Sequence, residues 1–167
     1  MPDVPAVSGP PGLKAAVHEA FAAHGALARV VAGYEPREGQ RRMAEAVAEV
    51  LEEGGALLAE AGTGTGKTLA SLIPAILSRQ RVLVSTGTKN LQEQIYLKDL
   101  PALRDALGVP FTATLMKGRS NYLCLHRWER YRDATAHGTG RLIDSGDQVL
   151  LPILERWAGR TASGDRA

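Results

Sequence analysis

The stretch Ala61-Gly62-Thr63-Gly64-Thr65-Gly66-Lys67-Thr68 constrains this chain more than any other. A small residue, four more, and then Gly-Lys-Thr is the pattern of a phosphate-binding loop between a strand and a helix. Gly62, Gly64 and Gly66 let consecutive backbone N–H groups turn inward around phosphate oxygens, at the positive end of the following helix. In such a loop Lys67 bridges the β and γ phosphates and Thr68 holds a magnesium ion through its hydroxyl. The nucleotide-contacting candidates therefore run from Ala61 through Thr68 to Leu69, with Lys67 and Thr68 carrying the chemistry. The plain alternative is a glycine-threonine turn joining strand to helix, which leaves the register of Gly-Lys-Thr unexplained.

The surroundings of the loop read as alternating strands and helices. Ala56-Leu57-Leu58-Ala59 is a short apolar run ahead of it, and Arg81-Val82-Leu83-Val84-Ser85 is a second, richer in β-branched residues. Both are expected to be buried strands of a parallel sheet, with Thr112-Ala113-Thr114-Leu115-Met116 a third. Lys67 to Leu77 is expected to be the crossover helix, kinked or ended early by Pro74. A further helix is expected over Asn90 to Leu97, extended or repeated at Leu103 to Leu107. The order strand, helix, strand, helix, strand gives an α/β fold with a parallel sheet flanked by helices.

Upstream, the alanine-rich residues 13 to 31 space Leu13, Val17, Phe21 and Leu27 helically and break near Gly25, so one or two short helices are expected. After a turn at Pro36, Met43, Ala46, Val47, Val50 and Leu51 recur at the spacing of one helix face, and Gly54-Gly55 stops that helix. Downstream of Met116 the composition shifts. Asn121 to Asp133 is expected to be a helix dense in aromatic and basic residues, His137 to Gly140 a loop, and Asp147 to Trp157 a last helix around Pro152. The tail from Arg160 to Ala167 is small and polar and is expected to lack closing structure.

Gln40 stands at the start of the amphipathic helix. A glutamine amide can donate to one edge nitrogen of adenine and accept from its exocyclic amine. Alone, a helix-start glutamine is more often a solvated residue. Its company gives it another meaning. Tyr-Glu-Pro-Arg-Glu-Gly-Gln at 34–40, Glu-Ala-Gly-Thr-Gly-Thr-Gly-Lys-Thr at 60–68, Val-Ser-Thr-Gly-Thr-Lys-Asn-Leu-Gln-Glu-Gln at 84–94 and Lys-Gly-Arg-Ser-Asn-Tyr-Leu-Cys at 117–124 follow in one order. Over about Gly33 to Arg127 the chain resembles the DinG/XPD-type superfamily 2 helicases, most of all their bacterial DinG and YoaA branch.

That resemblance implies a RecA-like lobe and an ATP-dependent DNA helicase moving 5′ to 3′ on single-stranded DNA in the complete protein. It implies Gln40 on the adenine, with Arg37 and Tyr34 as weaker candidates beside it. It implies that Thr86 and Thr88 touch the DNA backbone, although alone they read as a Thr-Gly-Thr turn after a strand. Lys117 and Arg119 join them as DNA-binding candidates. Together with Arg127, Arg130 and Arg132, and with Glu129 and Asp133 among them, these cations read either as a phosphate-tracking set or as a solvated helix face. Cys124 resembles the first of the four thiolate ligands of a 4Fe-4S cluster. As an isolated cysteine between Leu123 and Leu125 it reads as a core thiol. It is the only cysteine, so the expected cofactors of this chain are ATP and Mg2+, with the cluster confined to the complete protein.

Composition narrows the remaining choices. At 167 residues, 44% of them hydrophobic, the chain has material for one core. A net charge of +2 leaves any DNA affinity to a local patch. A lone cysteine fits a reduced, cytoplasmic protein, and no apolar run is long enough to cross a bilayer. Residues 1–12 hold four prolines and lack a signal peptide's basic start and apolar stretch, so they are expected to be a disordered leader. Residues 13–116 then form the N-terminal part of helicase lobe 1, and 117–167 the start of the iron-sulfur insertion. Trp128, Tyr131 and Trp157 are expected to pack rather than stack on bases, and the four histidines show no metal-ligand spacing. An acidic pair closing a later strand is not found, since Leu150 to Glu155 is interrupted by Pro152. Protein partners are not indicated. The rival readings are a stand-alone nucleotide-binding module and an unrelated phosphate-loop kinase, the latter giving no reason for Gln40 in a Pro-Arg-x-x-Gln setting.

Overall fold

A computed structural model of the chain describes residues 12–136 and 145–166. They divide into two compact units, Met1–Leu115 and Met116–Ala167. The expected leader and the His137 to Gly140 loop lie largely or wholly outside the described residues.

The first unit opens with α1 (Leu13–Ala20) and α2 (Ala26–Val30). Gly25 separates them for a steric reason, because a Cβ there would lie 2.1 Å from the Glu19 carbonyl oxygen. The long helix α3 (Glu38–Glu53) ends at Gly54, whose φ of 82° is a conformation that favours glycine. Its packing corrects the expected face. Gln40, Ala44 and Ala48 form the buried line, while Met43, Val47, Val50 and Leu51 are half-buried. Alanines let α3 lie close against α1 and α4, where Ala70 and Ile73 are also fully buried. Phe21, Leu27, Ile73 and Leu103 are the largest buried side chains of this core, each contributing about 1.5–3 kcal/mol by burial.

Helix α4 (Lys67–Leu77) runs through Pro74 and does not end early; Pro74 is itself buried in the core. After it, α5 (Lys89–Gln94), a π-helical turn (Ile95–Asp99) and α6 (Leu100–Leu107) follow without a break. The wide turn lies just ahead of Pro101, which has no N–H to give the preceding turn.

The expected parallel sheet does not form among the described residues. Ala56 to Ala59, Arg81 to Ser85 and Thr112 to Met116 run without strand pairing. A strand exists through a neighbour some 4.8 Å away that takes its N–H and C=O groups, and successive strands of a parallel sheet need not be neighbours. Leu58 and Leu83 are 101% and 93% exposed, so the layers that normally bury such strands are not supplied by these residues. Residues 111–116 still alternate between half-buried and exposed, the period of a strand.

In the second unit a 3-10 turn (Arg119–Asn121) leads to α7 (Leu125–Ala136), which begins later than the expected Asn121, and α8 (Ser145–Ala158) follows. The tail is closed, contrary to expectation. Tyr122 forms an antiparallel bridge with Asp165, the Leu123 amide donates to the Gly164 carbonyl at 2.7 Å, and the Arg166 amide donates to the Asn121 carbonyl at 2.9 Å. Between the 3-10 turn and α7 the backbone has no helical partners of its own, and the tail supplies them at Asn121 and Leu123.

Candidate nucleotide-binding site

The loop between Ala61 and Thr68 has the shape its glycines permit. Gly64 (φ 74°) and Gly66 (φ 81°) are left-handed, and Gly66 is the N-cap of α4. Lys67 Nζ donates to the carbonyl oxygens of Ala61 at 2.7 Å and Gly62 at 2.6 Å, so its ammonium sits inside the curve of the loop. Thr65 Oγ1 closes the turn by donating to the Gly62 carbonyl at 2.9 Å. Thr68 and Leu69 are half-buried in the first turn of α4, while Gly62 and Thr63 face solvent. The N–H groups at this helix start and the Lys67 cation together make a place for an anion.

The start of α3 meets the loop. Arg37 Nη1 donates to the Gly64 carbonyl at 2.8 Å, and Gln40 Nε2 donates to the Gly66 carbonyl at 3.0 Å. Arg37, Gln40 and Met43 from this side, with Leu58, Glu60 and the loop from the other, line a groove of about 740 Å³. Met43, Leu58 and Glu60 were not among the sequence candidates. Met43 and Leu58 gave no signal beyond apolar periodicity, and only proximity to the loop could have picked out Glu60. Tyr34 is not among the residues lining this groove. Its hydroxyl donates to the Phe21 carbonyl at 2.9 Å, and burial pushes its pKa up although the Arg37 charge opposes this.

A second set of charges flanks α3. Arg41 donates to Glu38 and to Glu45 at 2.9 Å, and His18 Nδ1 lies 2.8 Å from Glu45 and 2.9 Å from Arg41 Nη1. Burial raises the Glu45 carboxyl, but His18 and Arg41 outweigh that and hold it below the ordinary carboxylate value. The network ties α1 to α3 and stays clear of the groove lining.

The candidates for DNA are placed differently from one another. Thr86 Oγ1 donates to the Thr88 carbonyl at 3.1 Å, and Thr88 caps α5 by accepting from the Leu91 amide at 3.4 Å, so both hydroxyls serve a local turn. Arg119 is exposed. Lys117 is buried: its side chain is 3% exposed and its Nζ lies 2.6 Å from Asp165. A surface cation for DNA is therefore not what this residue presents, because the tail brings it a carboxylate. On α7, Arg127, Arg130 and Arg132 are exposed, and Trp128 stacks on Tyr131 with ring centres 6.4 Å apart. Cys124 is exposed instead of being a core thiol. Among the described residues no group of three or more His, Cys, Asp or Glu side chains is arranged to hold a metal ion.

Comparison with known proteins matches residues 40–138 to the DEAD/DEAH box helicase family. The chain belongs to that family. Gln40, the phosphate loop, Thr86, Thr88, Lys117, Arg119 and Cys124 fall inside the matched stretch, and Tyr34 and Arg37 lie just ahead of it. The ATP-dependent DNA helicase YoaA of Escherichia coli (strain K12) is 46% identical over 145 residues, which are 87% of this chain and 22% of that protein. The ATP-dependent helicase DinG of Mycobacterium tuberculosis (strain ATCC 25618 / H37Rv) is 41% identical over 157 residues, 84% of this chain and 24% of that protein. The 3′-5′ exonuclease DinG of Bacillus subtilis (strain 168) is 43% identical over 147 residues, 85% of this chain and 15% of that protein. The helicase-family chain thus spans a quarter or less of each of these relatives. Their names agree with the DinG and YoaA resemblance carried by the four sequence motifs.

Proposed function

We propose that this chain is the nucleotide-binding part of an ATP-dependent DNA helicase that couples ATP hydrolysis to 5′ to 3′ movement on single-stranded DNA. The observation that carries the reading is the phosphate loop with Lys67 inside its curve and the α3 start docked on its carbonyls. Mg-ATP lies along the groove, its phosphates against the N–H groups of residues 62–68, with Lys67 on the β and γ phosphates and the Thr68 hydroxyl on magnesium. Gln40 keeps one amide hydrogen and its oxygen for the adenine edge while the other hydrogen serves Gly66. Arg37 borders the same groove.

The fold reading extends to the sheet. Ala56 to Ala59, Arg81 to Ser85 and Thr112 to Met116 are strands of a RecA-like parallel sheet that is completed and covered by further elements of such a lobe, which accounts for the apolar exposure of Leu58 and Leu83. Residues 13–116 are then the N-terminal part of lobe 1 and 117–167 the start of an iron-sulfur insertion. Thr86, Thr88 and Arg119 are proposed to face single-stranded DNA, with Lys117 stiffening the segment that carries Arg119. One exposed thiol cannot hold a 4Fe-4S cluster, so Cys124 is a ligand only alongside thiolates outside this chain. No helix among the described residues is long and apolar enough to cross a membrane, and a cytoplasmic setting is part of the proposal.

Competition titration with Mg-ATP and Mg-GTP tests the reading. ATP is expected to bind more tightly, because the Gln40 amide matches the adenine edge and mismatches guanine. Lys67→Ala removes a charge-assisted phosphate contact of about 1.5–3 kcal/mol and is expected to weaken ATP by about tenfold or more. Equal affinity for the two nucleotides sinks the role of Gln40, and unchanged binding by Lys67→Ala makes the loop structural.

A further inference from the structure

Four carbonyl groups of the phosphate loop are tied by side chains. Lys67 holds those of Ala61 and Gly62, Arg37 holds that of Gly64, and Gln40 holds that of Gly66, which also accepts the Ala70 amide at 3.1 Å. In a trans peptide the C=O of one residue and the N–H of the next point in opposite directions. Fixing the Gly64 carbonyl therefore aims the Thr65 N–H, and fixing the Gly66 carbonyl aims the Lys67 N–H. Both planes adjoin left-handed glycines, where no Cβ resists a flip of the peptide. The Ala70 amide already holds the 66–67 plane from within α4, so an outside tie is a second one there, whereas the 64–65 plane depends on it.

The holding pair comes from one rigid element. Arg37 is the N-cap of α3 and Gln40 sits in its first turn, so residues three apart on α3 reach carbonyls two apart on the loop. The Gln40 contact is built closely: Gln40 is 8% exposed, and a Cβ on Gly66 would fall 1.9 Å from its Nε2. A residue serving only to read a base would have no need of this fit.

We infer that Arg37 and Gln40 are positioning residues of the phosphate loop, holding the 64–65 and 66–67 peptide planes with their N–H groups toward the phosphates. Their contribution is accordingly independent of the base. For Arg37 this replaces a role at the adenine, and for Gln40 it adds to one. The inference rests on the nucleotide-binding reading above.

The test is the affinity of the chain, with magnesium, for tripolyphosphate, which has no base, beside ATP and GTP. Arg37→Ala is expected to weaken all three by a similar factor, on the order of tenfold for the loss of a charged donor. Arg37→Lys is expected to restore part of the loss, since an ammonium can still donate to the Gly64 carbonyl. Gln40→Ala is expected to weaken tripolyphosphate several-fold and ATP by more. Circular dichroism checks the helices of each variant. If Gln40→Ala loses them, the exposed Arg37 pair carries the test. Unchanged tripolyphosphate affinity in Arg37→Ala, or loss confined to ATP, overturns the inference and leaves the nucleotide site standing. A wild-type chain that binds none of the three ligands overturns the nucleotide site itself.

Discussion

Replacing Gly66 by alanine measures how tightly α3 is built onto the phosphate loop. The new Cβ would lie 1.9 Å from Gln40 Nε2 and 2.7 Å from its Cδ, and the residue would keep a φ of 81°. Holding an L-residue in the left-handed region costs about 1–2 kcal/mol. Driving the buried Gln40 amide off the Gly66 carbonyl costs about 1–3 kcal/mol more. The sum, about 2–5 kcal/mol, is a large part of the stability of a domain this size. It should lower Tm by roughly 8–40 °C at about 4–8 °C per kcal/mol. Gly64 is the internal control. Its φ is 74° but nothing lies within 4 Å of a Cβ there, so Gly64→Ala should cost only the backbone term of about 1–2 kcal/mol. In a Gln40→Ala background the collision is gone, and Gly66→Ala should shrink to that same backbone term. Thermal and denaturant unfolding of the variants, followed by circular dichroism, read these differences. Equal losses for Gly64→Ala and Gly66→Ala, or no relief from Gln40→Ala, would falsify the collision argument.

Other perturbations probe other parts of the molecule. Glu45 is held below the ordinary carboxylate value of 4.5, so its contribution is present above that value and is lost as pH falls through the lowered one. The stability difference between the wild type and Glu45→Gln should therefore shrink in acid; a difference constant from neutral pH down to pH about 3 contradicts it. Asp165→Ala removes the carboxylate beside the buried Lys117 ammonium and should cost the second unit about 3–5 kcal/mol. Faster hydrogen exchange at the Leu123 amide, which donates to Gly164, would report it, and undiminished protection would count against the ion pair. Finally, ATP turnover by the 167-residue chain should not exceed that of its Lys67→Ala variant, with or without single-stranded DNA. Orienting water needs a carboxylate, and an arginine across the cleft supplies about 10³ to 10⁵ in rate. DNA-stimulated phosphate release would mean that such groups lie within these residues.

Local chemistry was legible along the chain, and long-range pairing was not. Residues 61–68 announced left-handed turns at glycine and a helix starting at Lys67, because such turns need glycine wherever the loop is found. Pro36, Gly25 and Gly54 placed helix boundaries correctly for the same reason: each acts on its own backbone. Motif order carried the family, and the match over residues 40–138 agrees with it. By contrast, Met43 and Leu51 read as the core of α3, yet Ala44 and Ala48 are its fully buried residues and Met43 packs at the edge of that core, since close approach of helices rewards small side chains that periodicity undervalues.

What only tertiary structure could decide was which polar groups meet. The amide of Gln40 reads from sequence as a base-reading group, but its neighbour in space is the Gly66 carbonyl, 26 residues away. Lys117 reads as a cation for DNA, and Asp165, from the far end of the chain, buries it in an ion pair. The strand-like runs around Leu58 and Leu83 carry β-forming side chains but no ladder, because a strand is completed by a neighbour and not by its own residues. Conformation at a glycine or proline is a property of one residue and can be read from it. A hydrogen bond, an ion pair or a sheet belongs to two segments, and the distance between them in sequence says little about whether the fold brings them together.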